Sequence, residues 1–415
     1  MEGPAQVSQQ AEVAAEPAWV ADEAEGVRLP DMTYTEQETE LRSAVRSVLA
    51  DRADFNAVLA RTETADTYDT GLWRALASDV GCAGLLIPES LGGAGASFRE
   101  AAVVCEEVGR SLAPVPFLGS AAIATVALLA VHDRGEPGAE LAGELLSDLA
   151  AVRSTAALAV PFASVPGNRV DPTVRVMPPA DGDAEGTYRL SGTVAGVADA
   201  LPADMLVVPG DGVPRGLFVV RAGEAGLSKS PVVSLDMTRQ LCDLRLDNVR
   251  ARRIAAGQRA ELAVAAALQA GAAMLAAEQL GLADRALEIT LAYVKQRHQF
   301  ARPIGSFQAI KHRIADWWVA VTQARAASRY AVACLAEDDP DTRVAVALAK
   351  AVCSETAVLA GQEMIQLHGG IGFSWEHPAH LYLKRAKSSS IALGTADRHR
   401  ASLAALVNLP PAPPA

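Results

Sequence analysis

Arg297-His298-Gln299-Phe300-Ala301-Arg302-Pro303-Ile304-Gly305-Ser306-Phe307-Gln308 and Gln366-Leu367-His368-Gly369-Gly370-Ile371-Gly372-Phe373 are the two stretches that decide this fold. The first breaks one long helical pattern and starts another. Pro303 has a fixed φ and no N–H, and Gly305 follows it, so the chain must turn here. The second closes the next helical pattern with three glycines. Glycine permits close backbone approach to a ligand such as a diphosphate, and Arg297 can pair with its charge. Taken singly, each is also accounted for as a connector between helices with a glycine at the C-cap. Working outward, Ala-rich helical patterns cover about 257–297, 307–336, 341–368 and 378–404.

Upstream the texture changes. Between 151 and 254, short apolar runs at 156–160, 188–190, 205–208, 217–220 and 244–246 are separated by Gly, Pro and Asp, the pattern of an antiparallel β domain. Before it the pattern is helical. Thr35-Glu36-Gln37-Glu38 has capping-box form at a helix start, with apolar residues recurring at Leu41, Val45, Val48 and Leu49. Ile87-Pro88-Glu89-Ser90-Leu91-Gly92-Gly93 marks a loop, and helix resumes near Phe98. The expected organisation is an acidic disordered lead-in (1–31), an N-terminal helical domain (32–150), a β domain (151–254), a C-terminal helical bundle (255–409) and a Pro/Ala tail (410–415). This is an α+β design.

Composition bounds the function. The chain has 415 residues, half of them hydrophobic, with 5 % aromatics and a net charge of −12. The core is therefore built from close-packed small side chains. With no basic run, the charge argues against nucleic acid and against an anionic membrane surface. The five cysteines are far apart and show no metal-ligand spacing, which argues against a structural zinc or a disulfide framework and fits a reducing cytoplasm. No basic and apolar leader opens the sequence. The most apolar stretch, about 261–282, is broken by Gln269, Glu278 and Gln279, and reads as a buried helix.

These segments, in this order and together with the closing Ile391-Ala392-Leu393-Gly394-Thr395-Ala396, resemble the acyl-CoA dehydrogenase family from about Met32 to about Leu409. The resemblance implies an N-terminal helical domain, a central β domain and a C-terminal four-helix bundle. It also implies assembly as dimers or tetramers, with FAD lying between the β domain of one subunit and the bundle of its neighbour. A carboxylate would remove the proton α to a thioester while the β-hydrogen leaves as hydride to flavin N5. Electrons would pass on to an electron-transfer flavoprotein. Arg297, Phe300 and Gln308 match positions that hold the neighbour's FAD, and Gln366, Gly369 and Gly370 match those that receive its adenosine-diphosphate part.

Other positions depart from the family pattern. Leu393 stands where many members have the catalytic Glu, and Gly271 stands where a second subgroup has it. Ala159-Val160-Pro161-Phe162 occupies the usual Thr-Glu-Pro-Gly loop. The strand that flanks the flavin reads Gly196-Val197-Ala198-Asp199, so at Val197 and Ala198 only backbone amides are available to FAD. Glu278, seven residues after Gly271, lies on roughly the same helix face in apolar surroundings. Burial would raise its pKa and suit a base. Equally, it could be a structural carboxylate satisfied by a residue such as Arg285. Asp397, Glu376 and His368 are weaker candidates, and Trp317-Trp318 reads as subunit packing.

Two readings follow. One is an active FAD-dependent dehydrogenase using Glu278. The other is a non-catalytic subunit of a heteromer that completes a partner's FAD site. An oxidase or oxygenase on the same scaffold is a third option that no residue favours. The small Gly271 and Ala272 are explained equally well by room for a branched or bulky acyl group, carried on CoA or on an acyl carrier protein, and by ordinary helix packing.

Overall fold

A computed structural model describes residues 30–410 except 65, 67, 134, 136–137, 179–185 and 213. The expected lead-in and tail fall almost wholly outside the described residues. The first unit is built from helices α1 (Glu36–Arg52), α2 (Phe55–Thr62), α3 (Thr70–Arg74), α4 (Phe98–Ser111), α5 (Thr125–His132) and α6 (Ala139–Ala150). The capping box at Thr35 forms as read. The Thr35 hydroxyl accepts from Glu38 N, and the Glu38 carboxylate accepts from Thr35 N at 2.7 Å. The same carboxylate meets Arg99 at 2.9 Å and Arg329 at 2.7 Å, which ties the helix start to distant elements.

Seven strands follow: β1 (Ala156–Leu158), β2 (Val174–Met177), β3 (Thr187–Ala198), β4 (Met205–Gly210), β5 (Gly216–Arg221), β6 (Leu227–Val232) and β7 (Leu241–Ala256). They form one sheet in the order β1-β4-β5-β7-β3-β2, with β6 also on β7. The sheet is mixed, not purely antiparallel: β1 runs parallel to β4, because the chain returns through β2 and β3 before β4 is laid down. β2, whose apolar residues are split by Arg175, and β6, half polar, are both partly exposed and carry no long apolar run in the sequence.

The bundle comprises α7 (Gln258–Gln296), α8 (Gln308–Ala336), α9 (Thr342–His368), α10 (Ala379–Ile391) and α11 (Ala396–Leu406). Every residue from Ala270 to Ala283 of α7 is buried, as expected for a helix apolar on all sides. α7 and α9 are long and apolar enough to cross a membrane, but 72 % and 67 % of their most apolar windows are buried inside the chain. α4 and α7 cross in backbone contact. A Cβ at Gly109 would stand 2.0 Å from the Glu278 carbonyl oxygen, and one at Gly281 1.9 Å from that of Glu106. The helix expected over 378–404 is two helices. Leu393 (φ 53°) and Gly394 (φ 98°) are left-handed, and that pair turns the chain between α10 and α11.

Candidate functional site

The two glycine- and proline-bearing turns lie at one end of the bundle. Tyr293, near the end of α7, stacks on His368, the last residue of α9, with ring centroids 4.4 Å apart. His368 Nδ1 donates to the Met364 carbonyl at 2.7 Å, and its ring also meets that of His377 at 4.2 Å. Burial and the neighbouring histidines push His377 down to about 4, and burial lowers His368 as well.

On this scaffold, Arg297 closes α7 and Gln308 opens α8, both exposed. A two-residue ribbon pairs His298 with Pro303 and Gln299 with Arg302. Its corner residues, Phe300 and Ala301, both have positive φ, as in a type I′ turn that normally calls for Asn-Gly. Phe300 is lifted out to 88 % exposure. Gln366, Gly369 and Gly370 are exposed too, and a Cβ at either glycine would meet nothing within 4 Å. The apolar side chains of Ile371, Phe373 and Trp375 lie exposed nearby in sequence. The structure thus places the sequence-selected bundle residues on exposed turns at one end of the bundle, with the exposed Arg297 guanidinium a cation that can pair with a diphosphate.

The crevice side is different. Val197 and Ala198 are both buried in β3, where Val197 pairs with Cys242. Gly271 is buried against its neighbours: a Cβ there would meet Ile123 Cγ1 at 2.7 Å and Leu393 Cδ1 at 3.3 Å. The two positions where the family places its base therefore lie beside each other, and neither carries an acid.

Glu278 has the burial that the sequence implied but not the chemistry. Its carboxylate is 2 % exposed and is gripped by two buried arginines. Arg385 Nε donates to Oε1 at 2.8 Å, and Arg239 donates to Oε2. Arg385 Nη1 donates onward to Thr238 Oγ1 at 2.9 Å and reaches Asp236 at 3.5 Å. Burial pushes the Glu278 pKa up, but the two guanidiniums outweigh it and hold the carboxyl below its ordinary range. This corrects the expectation of a raised pKa. It also replaces the expected partner: Arg285 pairs instead with Glu288 at 2.9 Å. A carboxylate held by two charge-assisted bonds is a poor proton acceptor, so the geometry gives Glu278 a structural role joining β-domain loop, α7 and α10. The Asp236-x-Thr238-Arg239 run was the available sequence signal. It was missed because no single-helix spacing connects it to Glu278.

The remaining candidates resolve plainly. Asp397 is exposed and contacts Arg400 at 3.4 Å. Glu376 is exposed beside the glycine turn. Trp317 is 1 % exposed and belongs to the chain's own core, whereas Trp318 is 60 % exposed and remains available to a second subunit. No cluster of metal-ligating side chains exists among the described residues. Two buried groups that sequence reasoning missed hold the Leu393 turn. Lys350 Nζ donates to Ser354 Oγ at 2.8 Å and to the Ser389 carbonyl at 3.0 Å, with the Gly394 carbonyl at 3.4 Å. His399 Nε2 donates to the Leu393 carbonyl at 2.8 Å. Burial pushes Lys350 down to about 7 and His399 down to about 4.

Comparison with known proteins agrees with this architecture. The family profile for the acyl-CoA dehydrogenase N-terminal domain matches residues 35–138, and that for the C-terminal domain matches 261–407. The chain is 37 % identical over 359 residues to the acyl-CoA dehydrogenase IpdE2 of Mycobacterium tuberculosis, covering 86 % of this chain and 93 % of that relative. Among solved structures, the ChsE4-ChsE5 complex of Mycobacterium tuberculosis superposes with TM-score 0.79 at 28 % identity, covering 92 % of this chain and all of that one. A Tcur3481-Tcur3483 steroid acyl-CoA dehydrogenase variant superposes with TM-score 0.76 at 32 % identity, covering 90 % and 98 %. The chain belongs to the acyl-CoA dehydrogenase family.

Proposed function

We propose that this chain acts in FAD-dependent α,β-dehydrogenation of a bulky, steroid-derived acyl-CoA in the cytoplasm, as the FAD-completing subunit of a heteromeric enzyme. The observation that carries the reading is the contrast at the reacting centre. Gly271 and Leu393 hold no carboxylate, and the buried Glu278 on the same helix as Gly271 is committed to Arg239 and Arg385. Proton abstraction from the α-carbon needs an available base within hydrogen-bond reach, so the partner supplies it. This chain supplies Arg297, Phe300, Gln308, Gln366, Gly369 and Gly370, whose exposure fits the adenosine-diphosphate half of a partner's FAD. When bound, FAD supplies the hydride acceptor, and an electron-transfer flavoprotein is the natural next carrier. The ChsE4-ChsE5 complex has two different chains, and the Tcur3481-Tcur3483 protein is described as acting on steroids, which supports both the heteromer and the substrate class.

Purification distinguishes this from a self-sufficient homo-oligomer. The chain alone is expected to be colourless. Co-purified with a homologue that keeps a base glutamate, it turns yellow and reduces an acceptor with a steroid acyl-CoA. A chain that is yellow and active by itself overturns the reading.

A further inference from the structure

The half of the flavin site that this chain would offer to its own FAD does not fit the group, and one residue accounts for the misfit. We infer that Phe162 seals this crevice and so decides which of the two composite sites in the heteromer takes FAD. This inference rests on the heteromeric reading proposed above. The family loop ends in glycine where this chain has Phe162. The backbone of that residue bridges the crevice from wall to wall. Phe162 N–H donates to the Gly196 carbonyl at 2.9 Å on the sheet side, and its carbonyl accepts from Leu393 N–H at 2.7 Å on the bundle side.

A planar isoalloxazine needs a carbon contact of about 3.5–4 Å on each face, so walls joined directly by hydrogen bonds exclude it. The side chain completes the seal. The Phe162 ring is 8 % exposed, lies under the Arg239 guanidinium at 5.3 Å, and belongs to the same apolar cluster as Ile123 and Leu393. Ile123 and Leu393 in turn fill the space beside Gly271, where an acyl chain would enter. The Leu393 N–H, a donor at the usual base position, is committed to Phe162 and is withdrawn from any thioester carbonyl. Lys350 holds the Gly394 carbonyl and His399 the Leu393 carbonyl from behind, so the turn cannot swing away without losing these two bonds and the Leu393 N–H bond to Phe162.

The test is the flavin content of the co-purified heteromer, read by native mass spectrometry and by flavin absorbance. The wild-type complex is expected to carry one FAD per pair of chains, and Phe162→Gly to raise that ratio toward two. A wild-type complex with two FAD per pair overturns the seal while leaving the heteromer standing. So does a Phe162→Gly complex that assembles and melts like wild type yet stays at one. Where Phe162→Gly fails to assemble, hydrogen exchange at the Leu393 amide of the wild-type complex decides. Strong protection supports the seal, and exchange at the rate of an exposed loop overturns it. Failure of the heteromeric reading itself shows separately, as a chain that is yellow without any partner.

Discussion

Two regions of this chain face what should be halves of a flavin site, and they are built in opposite ways. At the bundle end, Phe300, Gly369 and Gly370 stand open, with left-handed backbone at Phe300, Ala301 and Gly369. At the crevice, Ile123 and Leu393 close over Gly271, Phe162 is buried with its carbonyl accepting from the Leu393 N–H, and His399 holds the Leu393 carbonyl. Exposed apolar side chains and strained backbone are retained where a partner covers them. Tight packing, by contrast, gives up catalysis for stability. On the proposed reading the two halves have different duties: the bundle end would serve a neighbour's cofactor, while the crevice serves this chain's own fold.

The largest expected effect breaks the crevice side. Glu278→Leu leaves Arg239 and Arg385 buried without their anion, and removing one partner of a buried pair costs about 3–5 kcal/mol. The chain is therefore expected to lose much of its stability in a denaturant titration. Glu278→Gln keeps one acceptor oxygen for one guanidinium and sets its NH2 against the other, so it should also destabilise the chain, yet in the assembled heteromer it should leave turnover per bound FAD unchanged. A turnover loss of several orders of magnitude with intact FAD content would restore Glu278 as the base. Next in size is a pH effect at Lys350. Its amine titrates near 10.5 in the unfolded chain and at about 7 in the fold, because burial disfavours the charge. Between those values the unfolded state holds a proton that the folded state does not, so this group makes stability rise with pH from about 7 toward 10.5. Below about 7 the folded chain must carry the buried charge, and the destabilisation is complete. In Lys350→Met that component of the slope disappears. Unfolding midpoints of wild type and variant at several pH values in this window should converge or diverge accordingly, and parallel curves would show a lysine charged throughout.

What the sequence made legible follows the same division. The open half was readable because its residues are local. Arg297, Phe300 and Gln308 lie within one turn, and Gln366, Gly369 and Gly370 within another, so motif spacing maps directly onto shape. The long helices α7, α8 and α9 were readable for a similar reason, since Ala-rich periodicity over many turns overrides local ambiguity. The sealed half was not readable. Phe162, Gly196 and Leu393 are joined only by backbone hydrogen bonds across three elements, and backbone bonds leave no trace in residue type. The Glu278 network failed similarly: burial was inferred correctly from apolar neighbours, but its sign on the pKa depended on Arg239 and Arg385, 39 and 107 residues away. The break at Leu393 was hidden because leucine is a good helix former and only its φ shows the turn.

The smaller effects sharpen the open half. Gly370→Leu adds a side chain where nothing lies within 4 Å, so melting of the isolated chain should not change. In the heteromer the same side chain occupies the surface proposed for the partner's FAD. A loss of roughly tenfold in FAD affinity, ~1.4 kcal/mol, is expected in cofactor titration of the complex. The smallest effect separates strain from contact at the ribbon corner. Phe300 and Ala301 both hold left-handed backbone, which costs an L-residue roughly 1–2 kcal/mol, while glycine in an ordered backbone gives back about 0.5–1. Ala301→Gly is thus expected to stabilise the chain by ~0.5 kcal/mol and leave FAD retention in the heteromer untouched. Phe300→Gly relieves the same backbone and removes little buried surface, because its ring is 88 % exposed, so its stability should change equally little. It alone should release FAD from the complex. If both variants retain FAD equally, the exposed ring touches no cofactor, and the positive φ at Phe300 serves only to close the ribbon.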